Sequence, residues 1–148
     1  VSPMRSCSNH RVVVGIDGST CSIAALNWAA DWAELTASTV EAIATWEWPT
    51  SYGVALFLPS DYDPAADAET MLRDAVKVAQ ETHPDVVFRP LVVEGHPAPV
   101  LIKASRGADL LTVGSRGHGE FTGMVIGSVS EHCTAHAHCP VLVIRDHV

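Results

Sequence analysis

The sequence predicts an α/β fold: an open, doubly wound parallel sheet of five strands with helices on both faces. Three observations carry this. Five short runs rich in β-branched and apolar residues recur along the chain. They are continuously apolar and not alternating, as strands buried on both faces are. Between successive runs lie stretches with helical periodicity, and a β-α-β-α-β-α-β-α-β order implies parallel strands joined by right-handed crossovers.

The first strand is RVVVGID, Arg11 to Asp17, ending in a turn signal. GST follows, and Ser19 or Thr20 can cap the helix CSIAALNWAADWAELT. There Leu26, Ala29, Ala30 and Ala33 repeat at helical spacing, and Trp28, Trp32 and Leu35 are expected to widen the core-facing stripe. The second strand is STVEAIATWEW, Ser38 to Trp48, closed by Pro49. A loop holding Gly53, Pro59 and Pro64 runs to about Ala65. Ala68, Met71, Leu72, Ala75, Val76 and Ala79 then mark a second amphipathic helix, stopped by Pro84.

DVVFRPLVVEG is the third strand, in which Pro90 points to a bulge or an edge position. HPAPVLIKASRG is a short helix with its prolines in the first turn, where a missing N–H costs little. ADLLTVGS is the fourth strand, GSVSEHCTAHAH the last helix and CPVLVIR the last strand. Residues 1–9 read as a flexible lead-in and residues 10–148 as one domain, a size that can bury a real core.

Seventeen acidic residues against nine basic ones give a formal net charge of −8, which argues against a generic nucleic-acid binder. No segment has the roughly 18 to 20 consecutive apolar residues that cross a bilayer. VSPMRSCSNH has no apolar core of the secretory kind, so a cytoplasmic protein is expected. The four cysteines, Cys7, Cys21, Cys133 and Cys139, are read as reduced thiols in a chain large enough to need no staples.

Half of the ten glycines fall between Val113 and Ser130. In an open doubly wound sheet, ligands bind beyond the carboxyl ends of the strands, where strand order reverses. The first strand ends in GIDGST and the fourth in VGSRGHG, so Asp17 and the glycine stretch are candidates to face one crevice. Gly114, Gly117 and Gly119 can take positive φ and let the backbone approach a ligand. Gly127 and Ser128 open a helix whose N–H groups suit a phosphate oxygen, and Ser128 and Ser130 add hydroxyls. Arg116 and His118 can reach an anion from the loop. A purely structural loop is the alternative. The stretch holds no lysine and is not a Walker loop, and it does not follow the first strand as a dinucleotide fingerprint would.

The spacing Gly114-x-x-Gly117-x9-Gly127-Ser128 resembles the signature of the ATP-binding branch of the universal stress protein family. VVVGIDGS, VEGHPAPVLIKAS, ADLLTVGSRGHG, IGSVSEHC and CPVLVIR resemble that family's successive blocks, over about residues 10–146. The resemblance implies a Rossmann-like sheet of order 3-2-1-4-5. It implies that Asp17 anchors the adenosine part of ATP, with Gly15 and Ile16 on the same wall. Thr45 would meet adenine through its backbone. Val113, Gly114, Arg116 and Gly117 match the first half of the ribose and phosphate loop, and Gly127, Ser128, Val129 and Ser130 the second. It further implies a nucleotide-dependent regulatory module of the stress response, Mg²⁺ arriving with ATP, and a homodimer through the last strand, Val141 to Arg145.

Rival readings attach to single features. EHCTAHAHCP gathers His132, Cys133, His136, His138 and Cys139, residue types that zinc uses, but in one local cluster without paired Cys-x-x-Cys spacing. DGSTCS stands where flavodoxin-like proteins hold FMN phosphate, although a capped tight turn explains it as well. The acidic DYDPAADAE is read as a solvated helix start. A slow ATPase or nucleotidyl transferase is the enzymatic alternative, for which the glycine stretch offers neither a lysine nor a water-positioning carboxylate.

Overall fold

A computed structural model describes residues 10–48, 59–116 and 126–145. Along them run β1 (Arg11–Gly15), α1 (Thr20–Thr36), β2 (Thr39–Trp46), α2 (Pro64–Thr82), β3 (Val87–Glu94), α3 (Pro97–Ala104), β4 (Leu110–Gly114), α4 (Ser128–His136) and β5 (Val141–Ile144). Every strand pairing is parallel and the sheet order is β3-β2-β1-β4-β5. This is the doubly wound arrangement that the alternation predicts. Residues 1–9 and most of the loop after Pro49 lie outside the described residues.

The central strands β1 and β4 are buried along their middles because both faces of the sheet are covered there, whereas β3 at the edge exposes Val87 and Leu91. Val12 and Val14 of β1 pack with Leu26, Val40 and Leu72 under α1 and α2. Val13 turns the other way, to Ile43, Leu101, Leu111 and Cys133 under α3 and α4. Pro90 pairs in unbroken register with Ala42, so it marks an edge strand and no bulge. A missing N–H is tolerated there because the outer side of β3 has no partner strand.

Local chemistry fixes the helix ends. Ser19 caps α1, its side chain accepting from Ser22 N–H, and Ala37 closes the helix in the left-handed region at φ 57°. Asp63 caps α2 through Ala66 N–H, with Pro64 already in the first turn and not in the preceding loop. The tryptophan expectation for α1 needs correction. Ala25, Leu26, Ala29, Ala30 and Ala33 are buried, but Trp28 is 39% exposed and Leu35 86% exposed; Trp32 is partly buried against the core. At 100° per residue the buried stripe centres near Ala29 and Ala33, and Trp28 and Leu35 fall beyond its edge.

Candidate functional site

β1 is the strand from which the chain winds in both directions, to β2 on one side and to β4 on the other. At the carboxyl ends of β1 and β4 opens a cleft of about 330 Å³. Gly15, Ile16 and Asp17 line it from the β1–α1 turn, and Thr45 from the end of β2. Val113, Gly114 and Arg116 line it from β4, and Gly127, Ser128, Val129 and Ser130 from the start of α4. These are eleven of the twelve residues expected at the site. The twelfth, Gly117, lies outside the described residues, as do His118, Gly119 and Gly123.

The two helix starts facing this cleft differ in chemistry. At α1, Gly18 turns the chain at φ 85°, and the Asp17 carboxylate accepts from Ser19 N–H at 2.9 Å and from the Ser19 hydroxyl. Ser19 in turn accepts from Ser22 N–H. This end already holds its own anion and its own cap, and a phosphate here would meet like charge.

At α4 the N-cap is Gly127, which has no side chain to cap with. Gly127 N–H donates to the Ser115 carbonyl, so the first-turn amides of Ser128, Val129 and Ser130 are the ones available to an anion. Among the described residues, Arg116 and Asp17 make up the charged lining of the cleft.

Three expectations change here. Gly114 does not take positive φ; the left-handed glycines among the described residues are Gly18, Gly95 and Gly107. The bare α-carbon of Gly114 serves packing, since a β-carbon there would stand 2.6 Å from Cβ and 2.8 Å from the backbone carbon of Cys21. Nor is the Ser130 hydroxyl a spare donor. It is buried and donates to the Gly114 carbonyl, tying α4 to the end of β4.

The cleft also includes Ser22, Ile43, Pro97 and Leu101, which the sequence reading did not name. Ile43 could have been found by alternation, two residues before Thr45 on the same strand. Pro97 could have been found because it opens α3 just after β3, at the same end of the sheet. Leu101 reaches the floor because Gly15 lacks a β-carbon, which would stand 2.6 Å from the Leu101 methyl.

The cysteine and histidine cluster does not converge. Cys133 is fully buried, and burial pushes its thiol up to about 11, away from the thiolate a metal requires. His132 is exposed and its Nδ1 faces the Ser128 carbonyl at 2.8 Å. Among the described residues no three His, Cys, Asp or Glu side chains stand close enough to hold a metal ion. No helix of the described residues is long and apolar enough to cross a membrane.

Comparison with known proteins gives a consistent result. A sequence model described as "Universal stress protein family" matches residues 8–145. The universal stress proteins Rv2624c and Rv2623 of Mycobacterium tuberculosis are 35% and 36% identical over 138 and 137 residues. Those matches take in 93% and 91% of this chain but 48% and 45% of the relatives, so the chain spans about half their length. Among solved structures, UspA from Lactobacillus plantarum superimposes with a TM-score of 0.79 at 21% identity, covering 93% of this chain and 99% of that one. A universal stress protein in complex with cAMP gives 0.71 at 25% identity, covering 95% and 99%. An AMP-bound universal stress protein family protein of Arabidopsis thaliana gives 0.64 at 22%, covering 94% and 93%.

Proposed function

This chain belongs to the universal stress protein family, and we propose that it is an adenine-nucleotide-binding regulatory module whose ligand is ATP. The observation that carries the reading is the pairing of Asp17 with the uncapped start of α4 across one cleft. Asp17 accepts hydrogen bonds from ribose hydroxyls while the α4 amides and Arg116 take the phosphates. Thr45, Ile43 and Leu101 frame the wall for the base. Relatives in complex with cAMP and AMP support an adenine nucleotide as the ligand class.

Mg²⁺ travels with the phosphates in this reading. Among the described residues Asp17 is the one carboxylate lining the cleft, and it sits at the α1 end. Phosphoryl transfer needs charge neutralisation and a positioned nucleophile. With Arg116 the only cation lining the cleft among the described residues, binding is favoured over turnover. An FMN carrier is the less favoured reading, because its phosphate would have to displace the Asp17 carboxylate from α1.

Residues 10–148 act as one nucleotide-binding unit in the cytoplasm. Val141 to Arg145, at the open edge of the sheet, pair with a second copy. Regulation then requires ATP to favour one conformation or assembly over another, since equal affinity shifts nothing. Mass spectrometry of small molecules released from the purified protein tests the ligand: ATP or another adenine nucleotide is expected, and a flavin would refute the reading. Multiple-turnover hydrolysis at about 1 s⁻¹ or faster would instead make the chain an enzyme.

A further inference from the structure

A second concavity, of about 470 Å³, lies along α3 and α4 and past their carboxyl ends, and none of its described lining residues lines the first cleft. Ala98, Pro99 and Ile102 give it an apolar floor. Lys103, Arg106, His132 and His138 surround that floor, and no acidic side chain is among its described lining residues. On a chain with nine basic residues and a net charge of −8, this is a concentrated reversal of sign.

The usual explanation for cations at a helix C-terminus is compensation of the dipole. That role is filled here by a different residue. The Arg11 guanidinium donates to the carbonyls of Ala104 and Arg106, at 2.8 and 2.6 Å, and pairs with Glu41. Lys103 and Arg106 form no ion pair with any described carboxylate.

The groove is also held in shape. The fully buried Ser105 hydroxyl donates to Ile102 O and accepts from His138 N–H at 2.9 Å, which fixes the segment after α4 against the end of α3. His132 Nδ1 is held by Ser128 O, leaving Nε2 for a ligand.

We propose that this groove binds a small, multiply charged phosphate-bearing anion, held by Lys103, Arg106, His132 and His138 over the apolar floor. Arginine and lysine together match a phosphate by fork geometry and point charge. A small anion is favoured over an extended polyanion because these basic groups line a single concavity, while the net charge of −8 repels a polyanion over the rest of the surface. The site stands independently of the nucleotide cleft.

The test is titration of the full chain with inorganic pyrophosphate, followed by NMR of the histidine rings and by calorimetry. Expected are shifts of His132 and His138, saturating at one anion per groove and weakening as salt is raised. Lys103→Gln with Arg106→Gln should weaken this binding by about tenfold or more, whereas Asp17→Asn should leave it unchanged. The Arg106 substitution spares the carbonyl that Arg11 uses, and the ring shifts of the unaltered chain decide the matter if the double variant does not fold. Unmoved His132 and His138 ring signals, equal affinity in the folded double variant, or tighter binding of a duplex oligonucleotide would overturn the proposal.

Discussion

A β-carbon on Gly114 would stand 2.6 Å from the β-carbon of Cys21, at the first turn of α1. The close approach of that helix to the end of β4 thus sets one wall of the cleft. Because the backbone carbon of Cys21 would stand only 2.8 Å away, no side-chain rotation relieves the contact. Gly114→Ala is therefore expected to destabilise the fold by about 1–3 kcal/mol, the usual range for overpacking. Urea denaturation without nucleotide checks this. An unchanged midpoint would show that α1 does not press on Gly114.

The start of α4 is best probed by charge. Ser128 is exposed in the first helical turn, beneath an N-cap that offers no side chain. Ser128→Asp places a carboxylate where the phosphates are proposed to bind, while favouring the helix dipole. ATP affinity is expected to fall about tenfold or more with no loss of thermal stability. Unaltered affinity in a fully folded variant would move the phosphates elsewhere.

His83 gives stability a pH dependence of definite sign. Its Nε2 lies 2.6 Å from the Asp31 carboxylate, and its Nδ1 faces Thr82 Oγ1 at 2.9 Å and Ala79 O at 3.2 Å. Thr82 spends its own proton on Ala79 O, so both ring nitrogens face acceptors and only the imidazolium satisfies both. The hydrogen bond to Asp31 raises the pKa above the ordinary 6.5; burial opposes this, while the Ala79 carbonyl and the charges of Asp31 and Glu34 assist. A raised folded-state pKa means the contribution is fully present below about pH 6.5 and is lost as pH rises through the folded value. Urea midpoints across that range should show this loss in the natural chain and not in His83→Gln. The same slope in both would remove His83 as its source.

Thr112 sits in the middle of β4, fully buried, and its hydroxyl has no hydrogen-bond partner among the described residues. Leaving a buried hydroxyl unpaired costs about 1–3 kcal/mol by mutational measures. Thr112→Val keeps the shape and removes the polar atom. A gain of about 1 kcal/mol is expected in chemical denaturation. A loss of stability would mean that the hydroxyl has a partner.

Strand and helix order was readable because the central strands β1 and β4 are short buried apolar runs and helical spacing recurs between successive strands. The position of a stripe was harder to read than its existence. In α1, alanines supply most of the buried face, and apolar Trp28 and Leu35 beside them carried a stronger hydrophobic signal than their location warrants. The cleft was legible where residues have distinctive chemistry, as at Asp17, Arg116 and the Gly127–Ser128 pair. Leu101 was not, since an apolar lining residue looks like any core residue. The roles of Gly114 and Ser130 depend on partners brought together only by the fold, Cys21 and the Gly114 carbonyl.

The central claim is that one adenine nucleotide occupies the cleft between Asp17 and α4. Calorimetric titration of the nucleotide-free chain with ATP and with AMP tests it most directly, the same titrations being repeated on Asp17→Asn. The account predicts one ATP per chain, bound more tightly than AMP because the α4 amides reach the outer phosphates, and weakened by about tenfold in Asp17→Asn. No binding of either nucleotide, or ATP binding untouched by the loss of the Asp17 charge, would contradict it.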